Sequence, residues 1–330
     1  MRQPEDVIYV SDAESGLEAV IVIDSTVLGP AAGGIRTARY AGLAAAQRDA
    51  ESLARAMTFK CALAGLDAGG AKCVVLEHPG LDRQLAFRAL GKTIEEQGGR
   101  FRTAGDLGTT DADLTELASV TRYVHTETGP LADAVAESHL VCLESALGQR
   151  VAGIRIAVQG VGSIGAAICR RLKSEGAELL IADIDEARAA TIADELGAEL
   201  CDTAELLRAD VDVLAPCARG GVIDVELATE VRARIICGGA NNIARDRKTE
   251  LRLAQRGVLL VPDLLSSAGA VIAGIGRSVM GLSDTHGLIS NLGRTLDRIL
   301  TESAEAGRLP SSAARARARK RLASPESDNL

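Results

Sequence analysis

Residues 157–165 read Ala-Val-Gln-Gly-Val-Gly-Ser-Ile-Gly, a complete GxGxxG turn at Gly160, Gly162 and Gly165. Its context is what constrains the fold. Ile154–Gln159 reads as a buried strand, the residues after the turn place Ile164, Ile168 and Leu172 at helical spacing, and a second strand, Glu178–Ala182, ends at the acidic Asp183. Strand, glycine turn, helix and strand in that order predict a parallel βαβ unit that cradles a dinucleotide.

Each residue type has a physical job in such a unit. Gly160 permits the tight turn, Gly162 lets the backbone approach a pyrophosphate, and Gly165 lets the helix pack closely on the strand. The residues Val161, Ser163 and Ile164 stand where free N–H groups and the positive end of the helix dipole face the phosphates. Asp183, followed by Ile184, is placed to accept hydrogen bonds from the adenosine ribose, and its charge repels the extra phosphate of NADP, so NAD is the expected cofactor. Arg188, close by in sequence, softens that preference.

At 330 residues the chain exceeds what one core usually supports, so two domains are expected. A hydrophobic share of 47% with 25% charged residues fits a globular protein with a sizeable core. The net charge of −8, with no long basic run, argues against nucleic acid or an anionic membrane as main partner. No apolar stretch reaches the roughly 18–20 residues of a membrane span, and the start lacks the apolar core of a secretion signal. A cytoplasmic location is expected. The seven cysteines, Cys61, Cys73, Cys142, Cys169, Cys201, Cys217 and Cys237, form no CxxC pair and read as reduced core residues. The four histidines lack ligand spacing, so no metal site is expected.

Along the chain, an alternating segment around Leu17–Asp24 reads as a strand leading into a glycine loop, Ala-Ala-Gly-Gly-Ile-Arg at 31–36. Residues 44–59 read as an amphipathic helix with Ala50, Leu53 and Met57 on one face, delivering Lys60 at its end. A second glycine loop, Gly69-Gly70-Ala71-Lys72, precedes a strand at Cys73–Leu76; a helix over 85–98 and a short strand at Arg100–Ala104 lead to a loop holding Asp106. Beyond residue 131 a linking helix and the strands Val211–Ala215, Ile235–Gly238 and Val258–Val261 continue the βα alternation, which predicts a doubly wound parallel sheet. A long helix is expected over Leu288–Ala306, and Ser324–Leu330 are expected to be disordered.

Lys60 and Lys72 stand twelve positions apart in glycine-rich or helix-terminal settings, with Asp106 following. Together they suggest a site that binds a carboxylate and moves a proton, although spacing alone does not separate either lysine from a solvated surface residue. Here the chain resembles the glutamate/leucine/phenylalanine/valine dehydrogenase family, most closely its branched-chain and aromatic members. The likeness is carried by LGPAAGGIR (28–36), LARAMTFKCALAGLDAGGAK (53–72), TAGDLGTT (103–110), the cofactor turn, APCA (215–218), GANN (239–242), Val261-Pro262-Asp263 and Ser267-Ala268-Gly269, in one order from about residue 8 to about residue 306.

The resemblance implies an α/β chain of two domains with a cleft between them: an N-terminal substrate and dimerisation domain over 1–129, a Rossmann NAD-binding domain over 130–285, and C-terminal helices over 286–330 packing back toward the first. It implies a homodimer or higher homo-oligomer acting on a small amino acid or 2-oxo acid and ammonia. Carried over by position, Lys60 binds the substrate carboxylate with backbone N–H groups around Gly33 and Gly34 and with Asn241. Lys72 is the catalytic lysine, and Asp106 exchanges a proton with the substrate amine. Ala32, Ala104, Val271 and Gly274 line the side-chain pocket, and Cys217, Ala218, Ala240 and Asn241 join the turn in holding the cofactor.

Departures from the family pattern bear on substrate. Ala32 stands where glutamate-specific members carry a lysine, so glutamate is not expected; small Ala32, Ala104 and Gly274 together imply a pocket enlarged beyond leucine, or one repacked by neighbours. Asp133-Ala134-Val135-Ala136 replaces a turn that bears a hydroxyl in relatives. The expected activity is NAD-dependent oxidative deamination of an apolar or bulky L-amino acid. Two other readings stay open: a specialised biosynthetic dehydrogenase on a non-proteinogenic substrate, and an inactive dinucleotide-binding paralogue with a regulatory or structural role. A hydroxy-acid dehydrogenase would need a positioned histidine, and none here has that context.

Overall fold

The computed structural model describes residues 3–126 and 131–325. These divide into two compact units, the first holding the chain up to 126 with 274–283 and 318–325, the second holding 131–273 and 284–317. The boundary expected at 129/130 lies outside the described residues, as do the last five positions of the tail expected to be disordered.

In the first unit, β1 (Asp6–Asp12), β2 (Leu17–Ser25), β3 (Ala31–Ala38), β4 (Gly69–Leu76) and β5 (Phe101–Gly105) form one sheet in the order β1-β2-β4-β3-β5. β1 and β2 make an antiparallel hairpin, β2 runs antiparallel to β4, and β3 lies parallel between β4 and β5. Helices α1 (Leu43–Leu63), α2 (Arg83–Glu96) and α3 (Asp111–Ala118) complete it. Because side chains alternate across a strand, the sheet has two distinct faces. Ile21, Ile23, Ile35, Cys73 and Val75 pack with Phe87, Leu90, Ile94, Leu114 and Leu117 on one. Val20, Val22, Val74 and Leu76 lie under Ala46, Ala50 and Ala54 of α1 on the other.

That second contact corrects the reading of α1. Leu53 and Met57 are only partly buried, and the face against the sheet is Ala46, Ala50, Ala54 and Thr58, one small residue per turn. Small side chains bring the helix down until backbones touch, and a Cβ on Gly70 would lie 2.1 Å from the Thr58 nitrogen. Both expected glycine loops are therefore strands. Gly33 and Gly34 lie within β3, and Gly69, Gly70 and Lys72 within β4. The glycines serve close packing there: a Cβ on Gly33 would fall 1.8 Å from the Ala71 carbonyl oxygen. At the far end of α1, the buried Arg321 guanidinium donates to the Ala62 carbonyl at 2.9 Å and the Cys61 carbonyl at 3.2 Å, satisfying acceptors that a helix end leaves open.

In the second unit, β6 (Arg155–Gln159), β7 (Glu178–Ala182), β8 (Glu199–Leu200), β9 (Val213–Pro216), β10 (Ile235–Ile236) and β11 (Leu259–Leu260) form a wholly parallel sheet in the order β11-β10-β9-β6-β7-β8. The chain passes through α4 (Leu131–Leu147), α5 (Ser163–Ser174), α6 (Glu186–Leu196), the short α7 (Thr203–Leu206), α8 (Arg247–Gln255) and α9 (Asp263–Ser266). It continues through α10 (Gly269–Ser278), α11 (His286–Glu305) and α12 (Pro310–Ala323). The order runs from β6 outward through β7, then returns to β9 on the other side, which makes the carboxyl end of β6 a topological switch point where ligands bind. α11 packs on α4 inside the second unit, and α12 runs through Ala323, its residues from Ala318 on grouping with the first unit.

His139, fully buried on α4, lies 2.9 Å from the Cys237 carbonyl through Nε2, while Nδ1 has no partner among the described residues. A carbonyl only accepts, so Nε2 carries the proton and the ring is neutral. Burial pushes its pKa down to about 4. The native state resists protonation here, so stability is intact above the ordinary value near 6.5 and is lost as pH falls from there through about 4. His139→Leu should lose about 1 kcal/mol at neutral pH from the unpaired carbonyl. Between those two pH values it should escape a decline of about 3 kcal/mol that the parent shows. Urea denaturation across that range reads the difference in slope, and parallel curves would refute the assignment.

Candidate active site

The register of β4, β3 and β5 assembles one group of candidate site residues within the first unit. Ala32 pairs with Gly70, Ile35 with Cys73 and Arg36 with Val74, while Gly34 pairs with Ala104 and Ile35 with Gly105. Alternation then places Ala32, Gly34, Arg36, Lys72, Ala104 and Asp106 on one face, the face α1 covers. Asp106 leaves the end of β5 beside Gly34, whose missing Cβ would lie 2.9 Å from that of Asp106. Lys72 Nζ meets Asp106 Oδ2 at 2.8 Å. Lys60 is buried in the last turn of α1, whose carbonyls favour a cation.

Lys72 and Asp106 differ in access. The Lys72 side chain is 7% exposed and the Asp106 side chain 30%, so the carboxylate is the more open partner. Burial draws the Lys72 pKa below the ordinary lysine value; Asp106 opposes that and Arg36 adds to it. Burial also disfavours the Asp106 carboxylate, but Lys72 and then Arg36 outweigh it and hold its pKa below the usual range. The cation that helps to depress Lys72 is thus Arg36. The residues alone gave Arg36 no role, although its alternation with Gly34 along a strand is a signal that places it on the site face. Its Nε donates to Asp106 Oδ2 at 3.0 Å, and its second arm reaches Asp49 Oδ2 at 3.1 Å.

A second group, within the second unit, gathers at the carboxyl ends of β6, β7, β9 and β10. Gly160, Val161 and Gly162 make the turn, and Ser163, Ile164 and Gly165 open α5. A Cβ on Gly165 would lie 1.9 Å from the Gly160 carbonyl oxygen, the close helix–strand approach expected of it. A Cβ on Gly162 would meet nothing within 4 Å, so the space over the turn is open to a pyrophosphate. Ala218 reaches the turn, 2.7 Å from where a Gly160 Cβ would stand, and Cys217 lies beside Gly165 and Gly239. Ala240 and Asn241 follow β10, with the Asn241 side chain 3.1 Å from the Ser267 hydroxyl.

Asp183, 8% exposed, is held by three donors. Oδ2 accepts the Val161 N–H at 2.7 Å; Oδ1 accepts the Asp185 N–H at 2.9 Å and Arg188 at 2.7 Å. Burial disfavours its charge, but those bonds outweigh it and keep the pKa low. Ile184 beside it is almost fully exposed, at 92%.

Val271 and Gly274 stand three apart on α10 and so share one side of it, and Gly274 again has open space. On α4, where a hydroxyl was expected to be missing, Ala136 is buried, and the fully buried Ser138 spends its hydroxyl on main-chain groups. The Ser138 oxygen accepts the Gly269 N–H at 3.1 Å and lies 2.9 Å from the Ser266 carbonyl, tying α4 to the start of α10.

Residues 4–123 match the family model described as the Glu/Leu/Phe/Val dehydrogenase dimerisation domain, and residues 180–276 match that described as glutamate/leucine/phenylalanine/valine dehydrogenase. A leucine dehydrogenase of Thermoactinomyces intermedius is 36% identical over 280 residues, 81% of this chain and 76% of that protein. An L-tryptophan dehydrogenase of Nostoc punctiforme is 31% identical over 329 residues, 96% and 93% of the two chains. The crystal structure of L-tryptophan dehydrogenase from Nostoc punctiforme superposes with a TM-score of 0.86 at 30% identity, covering 97% of this chain and 96% of that one. With the residues grouped in each unit, the parallel sheet and these matches in agreement, this chain belongs to the glutamate/leucine/phenylalanine/valine dehydrogenase family.

Proposed function

We propose that the protein oxidatively deaminates an apolar or bulky L-amino acid to its 2-oxo acid and ammonia with NAD, reversibly, and that glutamate is not its substrate. The observation that carries the reading is the 2.8 Å pair of a nearly enclosed Lys72 and a more open Asp106 on one sheet face. The open space over Gly162 and the close packing at Gly165 fit a dinucleotide on the turn, with Asp183 toward its ribose. When bound, the nicotinamide supplies the acceptor for the two electrons that the substrate α-carbon gives up.

The chain's own residues manage charge and protons. Lys60, buried at the end of α1, holds the substrate carboxylate with the β3 backbone at Gly33 and Gly34. Oxidation leaves an iminium carbon on the substrate, to which water adds. A lysine whose ammonium form is disfavoured takes the proton of that water, and Lys72 is so placed. Asp106, ionised at rest, first takes the proton of the substrate ammonium so that the free amine can be oxidised, and later returns it to the carbinolamine nitrogen as ammonia leaves, a role suited to a carboxylate near the surface of the site. Small Ala32 and Ala104 on the same face, and the open side of Gly274, leave room for a large side chain.

NAD is favoured over NADP because a buried carboxylate at Asp183 opposes a second phosphate; the bond from Arg188 weakens that opposition. We assign the protein to the cytoplasm, where its seven free cysteines stay reduced, and to a homodimer or larger homo-oligomer. No helix among the described residues is long and apolar enough to cross a membrane. Steady-state rates with NAD and NADP on a series of L-amino acids test the reading. We expect kcat/KM at least about tenfold higher with NAD, a difference of roughly 1.4 kcal/mol, and higher for large apolar side chains than for glutamate. Preference for NADP would overturn the cofactor assignment, and preference for glutamate would overturn the substrate class.

A further inference from the structure

The two oxygens of Asp106 are not equivalent. Oδ2 takes Lys72 Nζ at 2.8 Å and Arg36 Nε at 3.0 Å, while Oδ1 has no donor among the described residues. Two donors on one oxygen fix the carboxylate plane and leave the other oxygen's lone pairs free. Arg36 is itself held at its other end. Its Nη1 reaches Asp49 Oδ2 at 3.1 Å, and the Tyr40 hydroxyl donates to that same oxygen at 2.6 Å. A planar guanidinium gripped at both ends by carboxylates has little freedom to turn.

The network also sets the field at the site. The charged and titratable groups around the pair are Arg36 from β3, Lys72 and Cys73 from β4, and Asp49 of α1 with Tyr40 before it. Arg36 is the cation in that set besides Lys72. Asp49 and Tyr40 lie on its far side and so act on the reacting pair through Arg36.

We propose that Arg36 is a positioning residue which, with Lys72, pins Oδ2 of Asp106 so that Oδ1 is the oxygen presented to the substrate amine, and that Asp49, gripped by Tyr40, tempers the pull of Arg36 on both groups. The proposal rests on the amino acid dehydrogenase reading above. It differs from a purely structural role in the sign of its effects. Without the Arg36 charge Lys72 holds its proton to higher pH, so the acid limb of the activity profile moves up. Without the Asp49 charge Arg36 is less compensated, Lys72 gives up its proton more readily, and the limb moves down.

The test is kcat/KM against pH for the parent, Arg36→Gln, Arg36→Lys and Asp49→Asn, with Asp106→Asn alongside. Arg36→Gln should raise the acid limb by about one pH unit. It should also lower kcat roughly 10-fold to 100-fold, with KM changed much less, because a loosened carboxylate misplaces the proton. Arg36→Lys should restore the limb but not kcat, since a lone ammonium supplies the charge without the two-armed grip. Asp49→Asn should move the limb the opposite way from Arg36→Gln. Superimposed profiles, or displacements in the same direction, would overturn the proposal. If Arg36→Gln fails to fold, the direction of the Asp49→Asn shift decides. Full turnover in Asp106→Asn would overturn the proposal by removing Asp106 from the proton transfer, whereas no NADH formation by the parent with any amino acid would instead remove the dehydrogenase reading on which the proposal stands.

Discussion

Replacing Lys72 by alanine should lower kcat by about 10³-fold, within the range a positioned acid or base contributes, while NAD binding stays as in the parent. The separation follows from the fold. Lys72 lies on β4 of the first unit, whereas the turn at 160–165 and Asp183 belong to the parallel sheet of the second. The substitution also removes one of the two cations that hold the Asp106 carboxylate, leaving Arg36 as its remaining ion-pair partner. Asp106 should therefore hold its proton to higher pH in the variant, since one of the two influences that outweigh its burial is gone. Fluorescence titration with NADH and steady-state rates with the preferred substrate read the two properties separately. Turnover within tenfold of the parent would remove Lys72 from the mechanism.

The second large effect is a contrast between two glycines of the cofactor turn. Gly165→Ala forces a methyl group to within 1.9 Å of the Gly160 carbonyl oxygen, so α5 must move off β6. Such overpacking typically costs about 1–3 kcal/mol, and a backbone atom yields less readily than a side chain. Gly162→Ala meets nothing within 4 Å, so the unliganded fold accepts it. The same methyl stands where a pyrophosphate must approach the backbone, and NAD affinity should fall by a factor of about 100 or more, roughly 2.7 kcal/mol. Gly165→Ala should thus lower the melting temperature of the free protein and Gly162→Ala should not, although both bind NAD poorly. Equal melting temperatures, or normal NAD affinity in Gly162→Ala, would contradict the geometry.

The cofactor half was legible because its chemistry is local. One turn, one helix start and one strand end lie within thirty or so residues, and the strand Glu178–Ala182 read from the sequence is β7 itself. The substrate half was legible only in outline. Lys60, Lys72 and Asp106 stood out through the family likeness, but the reading of Gly33, Gly34, Gly69 and Gly70 as loops failed. Glycine signals freedom to the eye, while here it marks places where α1 and neighbouring strands come within backbone contact. The same close approach explains why Ala46, Ala50 and Ala54, rather than Leu53 and Met57, face the sheet. Arg36 was missed for a related reason: its partners Asp49 and Asp106 are distant in sequence and meet it only through the register of β3 with β5 and the packing of α1. Arg321, near the end of α12, was missed because its acceptors are main-chain carbonyls.

The most direct test of the central claim is one assay: NADH absorbance and free ammonia followed together after NAD is mixed with the protein and L-leucine, L-phenylalanine, L-tryptophan or L-glutamate at mildly alkaline pH. The account predicts that NADH and ammonia appear in equal amounts with at least one of the apolar amino acids, and that glutamate gives neither. NADH without matching ammonia, or reduction with glutamate alone, would contradict it, as would no reduction with any of them in protein shown to bind NAD.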